Sequence, residues 1–227
     1  MTHLLLLARD PRSGVAAVLA SGRVTVAIAL VAFAEVLAGL SALRFAREIP
    51  VEQVMFGETR SGPVAILIGS LGRELTAIVL HLFQQAWDGI IVASALGPLF
   101  IWLLGATAIH ASARLNGIRR PLGPMFILHG YATGLMRPVA DGAALLLGPR
   151  GPGAALAQLV GALAIVWLGV IVWHGIRTYY GVTGGKALTI LVMALVLFYV
   201  VPLALIVAAV VALIVAAFVL EYVPAPR

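Results

Sequence analysis

Residues 187–220 form a run of 34 positions without one charged side chain. About 20 apolar residues suffice to cross a hydrocarbon core of about 30 Å, and a run this long and bare is incompatible with a water-facing element. Four more segments share the character, although the third of the five is interrupted by His129, Arg137, Pro138 and Asp141. The expected spans are residues 24–43, 90–110, 121–147, 154–177 and 187–220. Composition agrees: 62% of the 227 residues are hydrophobic and 11% charged, whereas soluble domains carry about 25% charged residues. That deficit excludes soluble, disordered, collagen-like and coiled-coil chains. The expected fold class is all-α: a polytopic membrane helical bundle of five transmembrane helices with an external amphipathic helix, forming a single membrane domain over residues 1–227 without internal repeats.

Basic residues orient the spans. The net charge of +6 comes from 14 Arg and Lys186. With the amino terminus inside, the cytoplasmic segments hold Arg9, Arg12, Arg23, Arg114, Arg119, Arg120, Arg177 and Lys186. Of the seven basic residues on the other side, four sit in the long segment between the first two spans. Short loops decide orientation, and there the split is eight to three. Five crossings then leave the amino terminus cytoplasmic and the carboxy terminus outside. The Leu4–Leu7 run is too short for a secretory core of about 7–15 apolar residues, so residues 24–43 are expected to serve as an uncleaved anchor. Residues 63–88, outside, read as the amphipathic helix: Leu71, Leu75, Ile78, Val79, Leu82 and Phe83 recur at three-and-four spacing, with Arg73, His81, Gln84, Gln85 and Asp88 opposite.

The chemistry-bearing residues are few. The absence of cysteine removes disulfides, thiolate metal sites and cysteine nucleophiles. Glu35, Arg137 and Asp141 fall inside spans, where a charge costs about 2.5–3.5 kcal/mol and turns to the bundle interior. Arg137 and Asp141, four apart, share a helix face. The three form an expected intramembrane polar cluster, either a structural staple between spans or a proton or ion path. His110, His129 and His174 fall in the cytoplasmic leaflet. Two facing imidazoles would suit a haem b, but hydrogen-bonded interfacial histidines are commoner; no cofactor and no metal site are expected. Gly130 and Gly134 form a G-x-x-x-G that lets helices approach closely. Pro202 can kink the last span, whose length of about 51 Å at 1.5 Å per residue exceeds one crossing. Residues 181–186 lack the spacing of a phosphate loop. No nucleophile elbow or zinc-protease motif occurs, so no enzyme is expected, and no nucleic-acid partner.

The expected function is that of a scaffold, adaptor or accessory subunit of a larger membrane assembly, with the lipid bilayer and other membrane subunits or further copies as partners. The alternatives are proton- or ion-coupled transport through the charged trio and a haem- or quinone-binding redox anchor built on the histidines. Three stretches carry a resemblance: Ala8-Arg9-Asp10-Pro11-Arg12 before the first span; His110-Ala111-Ser112-Ala113-Arg114-Leu115-Asn116-Gly117 with Leu128-His129-Gly130-Tyr131-Ala132; and, most specifically, the segment from Gly175-Ile176-Arg177-Thr178-Tyr179-Tyr180 through Gly181-Val182-Thr183-Gly184-Gly185-Lys186 to Ala187-Leu188. On these the chain resembles the bacterial branch of the Yip-type (Rab/Ypt-interacting) five-span membrane proteins. The resemblance implies a five-span fold with a cytoplasmic amino terminus and carries almost no activity. The vesicle-traffic role of eukaryotic relatives does not extend to a chain without a large cytosolic amino-terminal domain.

Overall fold

The computed structural model describes residues 2–49, part of the stretch 69–89, and 91–222. Among the described residues every regular element is a helix. Two short ones come first, α1 (Thr2–Arg9) and α2 (Pro11–Ser21). Asp10 lies between them as the N-cap of α2, its carboxylate accepting the Arg12 and Ser13 backbone N–H groups and the Ser13 hydroxyl, with Pro11 in the first turn. The Ser13 hydroxyl, then the backbone N–H groups, hold the Asp10 carboxyl below its usual range. Leu7, Val15 and Val18 turn inward and seal this pair against one end of the bundle.

Five long helices follow: α3 (Val24–Glu48), α4 (Gly97–Leu115), α5 (Gly123–Leu147), α6 (Gly151–Tyr180) and α7 (Gly184–Tyr222). α3 starts where the first span was expected and runs on to Glu48. α4 lies later than expected. Residues 91–95 are helical, a turn intervenes at Leu96, and the helix resumes at Gly97; Pro98, which has no N–H to give, sits in its first turn. Pro138 and Pro202 lie inside α5 and α7, and both helices run through them. Among the described residues four helices are long and apolar enough to cross a membrane: α3, α4, α6 and α7 over Gly184–Leu205. Of residues 63–88, expected to form an external amphipathic helix, most positions lie outside the described residues; Leu75, Ile78 and Leu82 are helical and exposed.

α5 is the helix that composition leaves out, and it sits at the centre. It packs extensively on α3 along one side and α6 along the other, with α4 against it as well. Ten of its 25 residues are buried, His129, Thr133 and Asp141 among them. A helix surrounded by protein need not match lipid, so it tolerates the polar residues that lower its hydropathy. α7 packs on α4 and α6.

The α3–α5 seam is built from small side chains. Ala27, Val31, Ala34, Ala38 and Ala42 form the buried stripe of α3. Opposite lie Gly130 and Gly134, where an added Cβ would come within 2.8 Å of the Ala27 Cβ and of the Leu30 backbone carbon respectively. The G-x-x-x-G motif is therefore spent inside the molecule. At the other end of the seam, the Arg44 guanidinium donates to the Leu145 carbonyl, one of the last four carbonyls of α5. Gly148, at φ +79°, turns the chain directly over that guanidinium.

Candidate functional site

The three charged side chains Glu35, Arg137 and Asp141, the last buried and the other two half-buried, meet at the first turn of α4. Arg137 Nη2 donates to Asp141 Oδ1 at 2.8 Å, the one-turn pair expected from their spacing. Glu35, on α3, has a different partner: its Oε1 accepts the backbone N–H of Leu99, third residue of α4. The Arg137 guanidinium borders the same turn, 3.7 Å from where a Cβ on Gly97 would stand. The first N–H groups of a helix have no acceptor within it, and in hydrocarbon each unsatisfied one costs several kcal/mol. A carboxylate is the strongest acceptor available, and the helix dipole favours it at that end. Glu35 is thus a cap delivered from a neighbouring helix. Asp141 Oδ2, Arg137 Nε and, one to two turns earlier on α5, Thr133 Oγ1 and His129 Nδ1 are buried with no hydrogen-bond partner among the described residues.

The histidines do not converge. His129, buried on α5, has Nε2 3.0 Å from the Ile101 carbonyl of α4. That contact makes Nε2–H the donor and leaves Nδ1 with a lone pair. Gly105 makes room for the ring, since any Cβ there would collide with Nε2. With one nitrogen engaged and the other enclosed, His129 offers no free ligand to a haem iron. His110 Nε2 accepts from Arg114 Nε at 3.2 Å, and its Nδ1 lies 3.5 Å from the Tyr180 hydroxyl. The His174 ring stands edge-on to Trp173, with centroids 4.8 Å apart. Among the described residues no group of three His, Cys, Asp or Glu side chains is gathered for a metal.

Between α4, α5, α6 and α7 lies a cleft of about 240 Å³. Ile101 and Gly105 of α4 form one wall, Leu168 and Gly169 of α6 the other, and α7 closes it with residues including Leu195 and Phe198. His129 and Arg137 lie on its α5 side. They are eight residues apart, which is about 12 Å along the helix. The walls are apolar, and with the His129 nitrogens engaged or enclosed it is Arg137 that supplies the cleft's charge.

The sequence did not single out the groups that shape this region. Ser112 Oγ donates to the Ile190 carbonyl at 2.9 Å, fastening α4 to α7. Gly105 and Gly169 open the cleft. A serine and two isolated glycines in apolar runs carry no spacing signal; the signal they do carry, small size within a span, is shared by many of the 24 glycines. Compared with known proteins, the chain matches no family model, no curated protein and no solved structure.

Proposed function

We propose that the chain is a non-enzymatic five-span protein of the bacterial inner membrane, amino end cytoplasmic and carboxy end outside. It acts by association, as a scaffold, adaptor or accessory subunit of a larger membrane assembly. The observation that carries the reading is the second half of α7. The helix has 39 residues, about 58 Å at 1.5 Å per residue, against a hydrocarbon core of about 30 Å. Its inward side chains, Ala187, Ile190 and Ala194, end within the first three turns. Beyond Phe198 the described apolar side chains, Tyr199, Val200, Leu203, Leu205, Val207 and Val211 among them, are exposed. A bilayer can cover one crossing of such a helix but not its whole length, and apolar surface in excess of what lipid covers is a site for another protein.

Other features support the span count and orientation. α5 is long enough to cross, is enclosed by α3, α4 and α6, and is joined to its neighbours by the short connections 116–122 and 148–150, which favour antiparallel neighbours. Five antiparallel helices put Arg23, Arg114, Arg119, Arg120, Arg177 and Lys186 at one end, in agreement with the charge asymmetry of the short loops. The resemblance to Yip-type proteins supports the same layout.

The test is to purify the tagged full chain from native membranes in mild detergent, beside a chain ending after Leu205. We expect a stoichiometric companion, or a second copy, with the full chain and its loss with the shortened one while thermal stability is kept. A full chain that elutes as a lone monomer, or an association indifferent to the shortening, overturns the reading.

A further inference from the structure

We propose that the cleft between α4, α5, α6 and α7 is a binding site for the head of a membrane-dissolved quinone, a neutral carbonyl compound on an apolar tail. This goes beyond the associative role above and does not depend on it.

The cleft lies along the central helix at the level of Arg137, and the other three helices around it, α4, α6 and α7, are each long and apolar enough to cross a membrane. A solute reaching it must itself partition into lipid. Its walls are aliphatic and aromatic: Ile101, Ile109, Leu168 and Phe198, with Tyr199 at the edge. They match a flat, lipophilic ring better than a hydrated ion, which would have to shed its water against them. Small residues set the shape. Gly105 and Gly169 face the space from opposite helices, and at Gly169 an added Cβ would meet nothing within 4 Å. The room at that wall is therefore open space rather than tight helix packing.

The polar groups set the chemistry. Arg137 has five N–H donors, and one of its terminal nitrogens is held by Asp141. The side chain is about one-fifth exposed and lines the cleft, and its Nε has no hydrogen-bond partner among the described residues, so it has donors left for an acceptor in the cleft. Charge excludes an anion as that acceptor. One guanidinium stands with two carboxyl groups, Asp141 paired to it and Glu35 on the same turn of α4, and no surplus positive charge remains. A neutral carbonyl oxygen is the acceptor that fits. The quinone ring offers such oxygens on a planar body, while the ester carbonyls of glycerolipids, the other neutral acceptors of a bilayer, are borne on flexible chains near the headgroup level, far from mid-depth. No electron transfer is part of the proposal: the site binds.

The probes are decyl-ubiquinone, decylbenzene (the same tail and ring size without carbonyls) and dioleoylglycerol (ester carbonyls without a ring), each titrated into the purified protein in nanodiscs. The readouts are thermal stability and the amount of probe retained after washing. We expect saturable retention of decyl-ubiquinone at about one per chain with a raised unfolding temperature, and neither effect from the other two. Gly169→Leu, which fills the open wall, is expected to weaken retention at least tenfold while the unliganded protein melts as the parent does. Leu195→Trp, at an exposed position on the α7 side of the cleft, is expected to weaken it too and keeps the test alive if Gly169→Leu fails to fold. Equal retention of decylbenzene would make the cleft an unspecific apolar gap, and preference for dioleoylglycerol would make it a lipid seat. Retention indifferent to both variants would place the quinone elsewhere. Any of these overturns the proposal.

Discussion

Single residues in this protein are constrained chiefly by how closely helices approach. Gly134 is the sharpest case. A Cβ there would run into the Leu30 side chain and backbone of α3, whose position is set along its whole length by the alanine stripe. Overpacking of this kind costs about 1–3 kcal/mol. Gly134→Val is therefore expected to lower the unfolding temperature in detergent by several degrees. Gly142→Ala, on the same helix but with open space around its Cβ, should leave it unchanged or raise it, since alanine is the better helix former. Equal melting of the two variants would mean that the α3–α5 seam is looser than its geometry. The glycine pair was legible in the sequence as a close-approach motif. Which helix it meets was not, because small-residue spacing names a face and not its partner. Gly105 and Gly169 were illegible for a related reason: one makes room for the His129 ring and the other borders a gap, and neither relation is local in the chain.

At the scale of the element, the helices are held to one another by backbone groups that lipid cannot satisfy. Glu35 caps α4 from α3, Ser112 reaches the Ile190 carbonyl of α7, Trp173 Nε1 donates to the Gly184 carbonyl at 3.0 Å, and Arg44 reaches the end of α5. The sequence located Glu35 and the Arg137–Asp141 pair as costly groups needing partners, and it gave the correct one-turn partner for Arg137. It could not foresee that Glu35 answers a main-chain N–H, since a helix start interrupted by Leu96 and Pro98 inside an apolar run leaves no mark in hydropathy. The capping role has a distinguishable consequence. Glu35→Gln keeps a carbonyl oxygen for the Leu99 N–H and should fold with a modest loss of stability. Glu35→Ala leaves that N–H unmet and should cost about 1–3 kcal/mol. A proton path through the trio would show instead as proton flux in liposomes from the parent chain that Glu35→Gln abolishes; that result would displace the cap as the reason for the residue.

For the whole molecule, the proposed topology rests on α5 crossing with the other four helices. The four apolar helices were legible because lipid-facing segments must be apolar over about 20 residues. The fifth was legible only as a weak, interrupted run, for the physical reason that its neighbours stand where lipid would be. Accessibility of tags decides the count. A tag at the amino terminus should resist protease in sealed, right-side-out vesicles and one at the carboxy terminus should be cut. Protection or cleavage of both together would mean an even number of crossings.

The enclosure of α5 also bears on how the chain is made. A segment carrying Arg137, Asp141 and His129 partitions poorly into lipid by itself, at a cost of about 2.5–3.5 kcal/mol for each central charge. On leaving the translocation channel it has α3 and α4 beside it, the cap and the glycine seam already within reach, yet its other flank stays bare until α6 has been synthesised. On the proposed topology, membrane integration of this protein is thereby tied to the order of translation: its least apolar crossing must wait at the channel for the one that follows, and the two enter the bilayer together as a hairpin.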